Sequence, residues 1–367
     1  MCGIPRGALP HSAREGLQAI MSDNQIEIRE LAEHEDASWD EFVTRHPHGS
    51  PFHLLAWKRT IEESFPYEPR YLLAANGGTI RGVLPLFLVQ NPIVGKVLLS
   101  TPFAVYGGIL ADSQAVLGAL HECVSKLGAE LRVDYVELRN SHPEQCGGNP
   151  NVDRYVAFSK ALTHDDQALM ESLPKKTRNM VRKALKQPFE VRYGVRDNRL
   201  FDQLHSRNMR RLGTPNFPRR YFDRLLANFA EMADLREVWL GDQLMAASIN
   251  IYFRGDVHTY HAAADTRHNA LSPNTFMYFD HLRWAGQHGF STFDFGRCKR
   301  NTGVFEFKKH WGTVMRELPY EVILINRKNL PNFSPTNPRF DLAIRIWKHI
   351  PLPVTRIVSR FVFPLLP

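Results

Sequence analysis

The chain has few cysteines, no long apolar run and too few acids to balance its bases, and each shortage excludes something. Cys2, Cys123, Cys146 and Cys298 are its four cysteines, and they stand far apart with no C-x-x-C pair. That spacing argues against a cysteine zinc site or a dithiol couple and makes a reducing cytoplasm the default setting. No stretch approaches about 18 uncharged apolar residues, so no membrane-spanning helix is expected. The first twenty residues hold Arg6, His11, Arg14 and Glu15 with no apolar core between them. This is not the pattern of a secretory signal, and Met21 offers a second start. Lys and Arg exceed Asp and Glu by 46 to 38, an imbalance that favours an anionic partner: a phosphate, a nucleic acid or a lipid headgroup. With 367 residues, 43% of them hydrophobic, the chain is long enough for about two domains with real cores and is unlike a disordered, collagen-like or coiled-coil sequence.

The two halves read as copies of each other. Gly77-Gly78-Thr79-Ile80 turns into an apolar strand through Val83 and Leu84, and Gly241-Asp242-Gln243-Leu244 does the same 164 residues later. A helix ending near Gly128 precedes the strand Tyr135-Val136-Glu137-Leu138. Another ending near Gly289 precedes Thr292-Phe293-Asp294-Phe295, which places Asp294 157 residues after Glu137. The period is too long for a solenoid. It predicts an α/β (α+β) chain of two tandem domains of one design, each a mixed sheet of acyltransferase type. The expected division is a flexible extension over 1–23, domains over 24–165 and 166–330, and a basic amphipathic tail over 331–367.

The segment 293–312 is the richest in chemistry. Strand alternation sets Phe293 and Phe295 on one face and Asp294 on the other. In a central strand that carboxylate is buried and needs a partner, for which Arg297, Lys299 and Lys308 are the nearby candidates. After Gly303 the spacing turns helical, with Thr302 as N-cap and Gly312 as stop. Val304, Phe307 and Trp311 share a stripe with Lys308 beside it, while Glu306, Lys309 and His310 face away. Lys308 then either snorkels to water or sits as a partly desolvated ammonium, suited to stabilising an oxyanion.

Between Lys175 and Lys186 the cations Lys175, Lys176, Arg178, Arg182, Lys183 and Lys186 meet no acid. On a helical wheel Leu173, Met180 and Ala184 lie opposite this comb, which suits phosphates of a substrate, a tRNA or a lipid. The turn Arg211-Leu212-Gly213-Thr214-Pro215-Asn216-Phe217-Pro218 is rigid and aromatic, and the run Pro102-Phe103-Ala104-Val105-Tyr106-Gly107-Gly108 permits close approach of another chain or ligand. His258, Tyr260, His261 and His268 invite a metal reading, but positions i and i+3 of a strand face opposite ways and no carboxylate spacing supports zinc. No metal is expected, and Cys298 has no histidine partner in sequence that would make it a nucleophile. Residues 339–363 mix Ile344, Ile346, Trp347, Ile357, Val358 and Phe361 with cations, which fits two short helices lying either at an anionic membrane or on the protein's own body.

The run F-D-F-G-R-x-K-R-x-T-G-x-x-x-F-K-x-x-W-G at 293–312, with R-L-G-T-P-x-F-P at 211–218 and P-F-A-V-Y-G-G at 102–108, resembles the FemAB-like proteins of the exosortase/PEP-CTERM system, over almost the whole chain from about residue 28. The resemblance implies a pair of GNAT-type acyltransferase domains, as in the Fem peptidyltransferases that join amino acids from aminoacyl-tRNA to cell-wall precursors. It matches Phe307-Lys308 to the Phe-Lys of the Fem pattern, whose lysine serves acyl transfer, and ties the chain to exopolysaccharide and envelope clusters. Cys298 stands where a small polar residue is expected. The nearest run to the pyrophosphate loop of acetyl-CoA enzymes, Arg210 to Pro215, ends in proline, so aminoacyl-tRNA or another acyl carrier is favoured over coenzyme A.

Together these readings predict an acyl or aminoacyl transferase acting in the cytoplasm on a phosphate-bearing envelope or polysaccharide precursor. Lys308 is expected to stabilise the oxyanion, and Asp294 and Arg297 to order the pocket. Lys175, Arg178, Arg182, Tyr106, Thr214, Phe217, Tyr260, His261 and Lys299 are expected to bind substrate. The competing expectations are a non-catalytic protein that docks polysaccharide machinery at the inner membrane surface through the basic helix and residues 339–363, and tRNA binding without chemistry.

Overall fold

A computed structural model describes residues 26–148, 155–329 and 341–365; the expected extension 1–23, with Met21, lies outside them. In the first half the antiparallel strands Glu27–Glu30, Leu72–Asn76 and Thr79–Leu84 form one sheet with the short strand Leu110–Ala111. A five-stranded sheet follows through Phe87–Asn91, Gly95–Leu99 and Tyr135–Leu138. The second half has a seven-stranded sheet built on Ala233–Leu240, Gln243–Phe253, Asp256–Ala264 and Thr292–Cys298.

The two hairpins expected at Gly77-Gly78 and Gly241-Asp242 are present, joining Leu72–Asn76 to Thr79–Leu84 and Ala233–Leu240 to Gln243–Phe253. The crossovers also correspond. Helix Gln114–Glu130 carries the chain from Gly95–Leu99 to the parallel strand Tyr135–Leu138, and helix Pro273–Gln287 carries it from Asp256–Ala264 to the parallel strand Thr292–Cys298. The first of these helices forms because Ser113 caps it, its side chain accepting from Val116 N, and because Val116, Leu117, Leu120, Val124 and Leu127 fall on one apolar stripe that the sheets bury.

The expected division at 165/166 needs correction. Strand Val156–Ala161 pairs with Thr292–Cys298 and with Val314–Glu317, inside the second sheet. Strand Glu321–Leu324 pairs with Tyr135–Leu138, inside the first. The second sheet thus takes its penultimate strand, and the first its edge strand, from chain beyond that boundary. One apolar core crosses the seam, where Trp57, Phe52 and Phe103 of the first half pack with Tyr221, Phe229 and Tyr260 of the second.

The first half fills its copy of the strand crossing. Glu137 is buried and accepts from Arg139 Nε at 3.0 Å, and the Arg139 guanidinium also donates to Thr101 O at 2.9 Å. By the 157-residue offset, Arg139 corresponds to Gly296.

Two helical wheels are corrected as well. Helix Lys175–Ala184 buries Thr177, Val181 and Ala184 and leaves Met180 exposed, because Thr177 Oγ1 donates to His310 O and fixes a different rotation. Helix Gly303–Lys309 stops a residue before His310, so Val304 is exposed, Trp311 packs from outside the helix, and Lys308 is its buried residue. The tail docks on the body: Phe363 packs at 4.1 Å on Phe217, Tyr67 Oη donates to Pro364 O, and Arg356 pairs with Asp202.

Because both sheets borrow strands, residues 166–330 expressed alone should fail to give a folded monomer. Gel filtration and amide NMR dispersion check this, and a dispersed monomeric spectrum would show that the exchange is dispensable.

Candidate active site

Strands Asp256–Ala264 and Thr292–Cys298 pair only from Asp256↔Thr292 to His258↔Asp294 and then separate. Two local devices accompany the separation. A bulge at Tyr260 shifts the pairing with Gln243–Phe253, since Ile249 faces His261 while Asn250 faces Thr259. Gly296 adopts φ +72° beside a second register shift against Val156–Ala161, a conformation that a side chain would strain. Two cavities of about 240 and 620 Å³ open in the gap and share Thr259, Tyr260, Phe295 and Lys308 in their walls.

Asp294 is buried, as the alternation Phe293-Asp294-Phe295 requires of a central strand, but the cations proposed for it are not its hydrogen-bond partners. Tyr106 Oη donates to Oδ2 at 2.6 Å, Gly296 N–H donates to Oδ1 at 2.5 Å, and His258 Nδ1 lies 3.4 Å from Oδ2. Burial alone would raise this carboxyl; the His258 imidazole, with Tyr106 and Gly296, outweighs burial and holds it below the ordinary carboxylate range. Tyr106, raised far above the usual phenol value by burial and then by Asp294, stays a donor.

Lys308 is 6% exposed. The kink at Gly296 turns two backbone carbonyls to it, and Nζ donates to Gly296 O and Arg297 O at 2.9 Å each. An ammonium has three N–H donors, so one is left for the cavities that Lys308 lines. Burial pulls this lysine from 10.5 down to about 8, partly opposed by Cys298 and Asp294 and assisted by Arg297. The group is therefore mostly charged at neutral pH and close to titrating. Cys298 is buried, which raises its thiol against a smaller lowering by Lys308, so it is no better placed as a nucleophile here than in the sequence.

The first half closes the site with one loop. Thr101 and Phe103 take positive φ there, at 45° and 66°, and Thr101 Oγ1 donates to Tyr106 O. Tyr106 reaches Asp294, Tyr260 Oη donates to Phe103 O at 3.3 Å, and Tyr320 Oη donates to Val105 O. Arg297 turns to the same seam. It donates to Tyr320 Oη at 2.9 Å and lies 4.6 Å from the centre of the Tyr155 ring.

Of the residues expected from sequence, Asp294, Arg297, Lys308, Phe217, Tyr260 and His261 line the smaller cavity, and Tyr106 stands behind Asp294. The structure leaves the rest outside. Lys175 and Arg182 are exposed on the outer face of their helix, and Arg178 donates to the carbonyls of Glu171 and Leu173. Lys299 lies 5.6 Å from the centre of the Tyr155 ring. Thr214 sits at a helix end, where the amides of Gly213 and Thr214 donate to Arg210 O and Met209 O. Those two amides are thus committed to the helix and do not form a phosphate loop.

His258 and His261 both line the smaller cavity, contrary to the i, i+3 parity, because the bulge at Tyr260 adds a residue between them. Among the described residues no three His, Cys, Asp or Glu side chains gather as a metal site. Sequence reasoning missed His258, Phe52 and His205. His258 was discarded on strand parity, and for His205 the available signal was Asp202 one turn earlier on the same helix face.

Comparison with known proteins follows the same lines. Residues 174–309 match the family described as an acetyltransferase (GNAT) domain. The fold is similar to the crystal structure of FemX, with a TM-score of 0.67 and 16% identity over 82% of this chain and 98% of that one. A tandem GNAT protein from the clavulanic acid biosynthesis pathway follows with a TM-score of 0.53 and 10% identity over 83% and 100%. L-PGS from Bacillus licheniformis gives 0.50 and 11% identity over 91% and 98%. Comparison with curated protein sequences gives no match. The chain therefore has a tandem GNAT-like α/β fold with mixed sheets, and its residues 174–309 are similar to GNAT-type acetyltransferase domains.

Proposed function

We propose that this protein is an acyl or aminoacyl transferase of the FemAB-like kind, working in the cytoplasm on a phosphate-bearing envelope or exopolysaccharide precursor of the exosortase/PEP-CTERM type. The observation that carries the reading is the Lys308 ammonium, held by two backbone carbonyls in the wall of two cavities with one N–H to spare. An acceptor amine or hydroxyl attacks the acyl carbonyl of an activated ester, and the oxygen that gains negative charge meets Lys308 in a water-poor site, where such a contact is worth several kcal/mol. Asp294 and Arg297 order the pocket through Tyr106, His258 and Tyr320. Phe217, Tyr260 and His261 give the smaller cavity a largely aromatic wall. Lys175, Arg178 and Arg182 take phosphates of the precursor or of a tRNA outside the cavity. Aminoacyl-tRNA or another acyl carrier is favoured as donor, in keeping with the likeness to FemX and L-PGS.

A second reading concerns location, and the tail favours it. Helices Asp341–His349 and Leu352–Val362 turn Leu342, Ile346, Ile357 and Phe361 outward, each more than half exposed, among Arg345, Lys348 and Arg360. Among the described residues no helix is long and apolar enough to cross a membrane; in this reading the face would rest on the surface of a bilayer.

Lys308→Met should keep the fold and lower transfer of a labelled amino acid from aminoacyl-tRNA to a nucleotide-linked sugar precursor by about 100-fold or more. Unchanged turnover would remove Lys308 from the chemistry. With the ammonium as the active form, wild-type turnover should fall as pH rises through about 8. The same titration has a stability counterpart. The folded state binds fewer protons than the unfolded between about 8 and 10.5, so wild-type stability should rise with pH across that window, by an amount on the order of 3 kcal/mol, and Lys308→Met should lose this rise in denaturant melts. For the tail, sedimentation with phosphatidylcholine vesicles containing 30 mol% (roughly) phosphatidylglycerol should show binding that falls with salt and with Ile357→Ser/Phe361→Ser; equal binding by that variant would remove the membrane face.

A further inference from the structure

Helix Arg199–Leu212 carries Asp202, His205 and Ser206 into the core, none more than 5% exposed. Asn216, in the turn after the helix, joins them. Its Nδ2 donates to Asp202 Oδ1 at 3.0 Å and to Ser206 Oγ at 2.7 Å, and its Oδ1 faces His205 Nδ1 at 2.5 Å. A carboxylate only accepts, so Asp202 fixes the amide with its NH₂ toward itself and its carbonyl toward the histidine. That carbonyl also only accepts. His205 Nδ1 therefore carries the proton, and Nε2 is left with the free lone pair.

The support continues outward into the tail. Arg356 donates to Asp202, and Asn216 N–H donates to Ser359 Oγ at 3.0 Å. The rings of Phe201, Phe222 and His261 pack on the imidazole with centroids 5.3 to 5.5 Å away. His205 stands in the wall of the larger cavity, which Lys308 also lines. Its neighbour His261 lacks such backing, since Nε2 of His261 is buried without a hydrogen-bond partner. Asp294 is already engaged by Tyr106, Gly296 and His258. His205 is thus the histidine in the wall of the larger cavity, and its tautomer is dictated from behind, as that of His258 in the smaller cavity is by Asp294.

We infer that His205 is the general base of the transfer, with Nε2 as the accepting atom. As the acceptor nitrogen or oxygen bonds to the acyl carbonyl carbon, its proton passes to Nε2. When the ester C–O bond of the donor breaks, that proton passes to the leaving oxygen. The acyl group moves from ester to acceptor, one proton moves in the opposite sense through the imidazole, and no electron is gained or lost. The role rests on the transferase reading; the tautomer does not. Burial pulls this imidazole below its ordinary value, with Asn216 and the Asp202 charge opposing it, which keeps the ring neutral and ready to accept.

The test uses the full chain labelled with ¹⁵N-histidine. Long-range ¹H–¹⁵N correlation at pH 7.5, with His205→Gln to assign the signal, should show His205 as the Nδ1–H tautomer; an Nε2–H tautomer or an imidazolium overturns the proposal without reference to any substrate. Diethyl pyrocarbonate, an acyl donor that attacks unprotonated imidazole, should modify His205 at least about tenfold faster than the core histidines His53 and His281, read by peptide mass mapping, and equal rates overturn it. In the transfer assay His205→Gln should lower kcat about 100-fold or more with KM within a few-fold and the melting temperature little changed. Undiminished kcat overturns the role of His205 alone. Correct tautomer and fast modification with no transfer by the wild type overturns the transferase reading, and the base role with it.

Discussion

A buried ammonium held by two main-chain carbonyls is the constraint around which this structure is arranged. Taking Lys308 out of water is costly, and in place of a carboxylate the fold offers oxygen from Gly296 and Arg297. Those oxygens point the right way because Gly296 takes a backbone angle that L side chains seldom adopt. The same kink interrupts the ladder with Val156–Ala161, and on the other flank the strand has already parted from Asp256–Ala264. Cation, glycine and opened sheet are thus one feature seen at three scales. A lysine neutralised by a direct ion pair would have a weaker pull on a transient oxyanion; one solvated by neutral dipoles keeps most of its charge for the ligand.

The seam between the halves makes this site a property of the whole chain. Tyr106 of the first half completes the hydrogen bonding of Asp294 in the second, and Tyr320, on chain returning from the second, reaches Val105 O. Strands are exchanged in both directions, and the aromatic core runs through without a break. Sliding one half on the other would strip Asp294 of a partner, so the seam behaves as a fixed joint rather than a hinge.

Much of the fold was legible in local pattern. The turns at Gly77-Gly78 and Gly241-Asp242, the Thr302 cap, whose side chain accepts from Phe305 N, and the alternation that buries Asp294 are all set by residues within a few positions of one another. What escaped depends on distant chain. The bulge at Tyr260 puts His258 and His261 on one cavity against strand parity, and nothing adjacent in sequence announces it. Tyr106 lies 188 residues from Asp294, so the charged neighbours of the motif looked like the natural partners. Met180 and Val304 were assigned to buried stripes because a wheel fixes the angles between side chains and leaves open which way the helix as a whole is turned. The strand exchange was hidden for a related reason: a short apolar strand carries no label for the sheet it will join.

The duplication has a further meaning at Arg139. Where the second copy has a glycine and an opening, the first has a guanidinium packed against Glu137 and the carbonyls of Thr101 and Ala104. That side chain ties down the very loop whose Tyr106 completes the other copy. Of the two corresponding strand crossings, one is kept open beside Gly296 and the other is filled by Arg139 to become part of its wall.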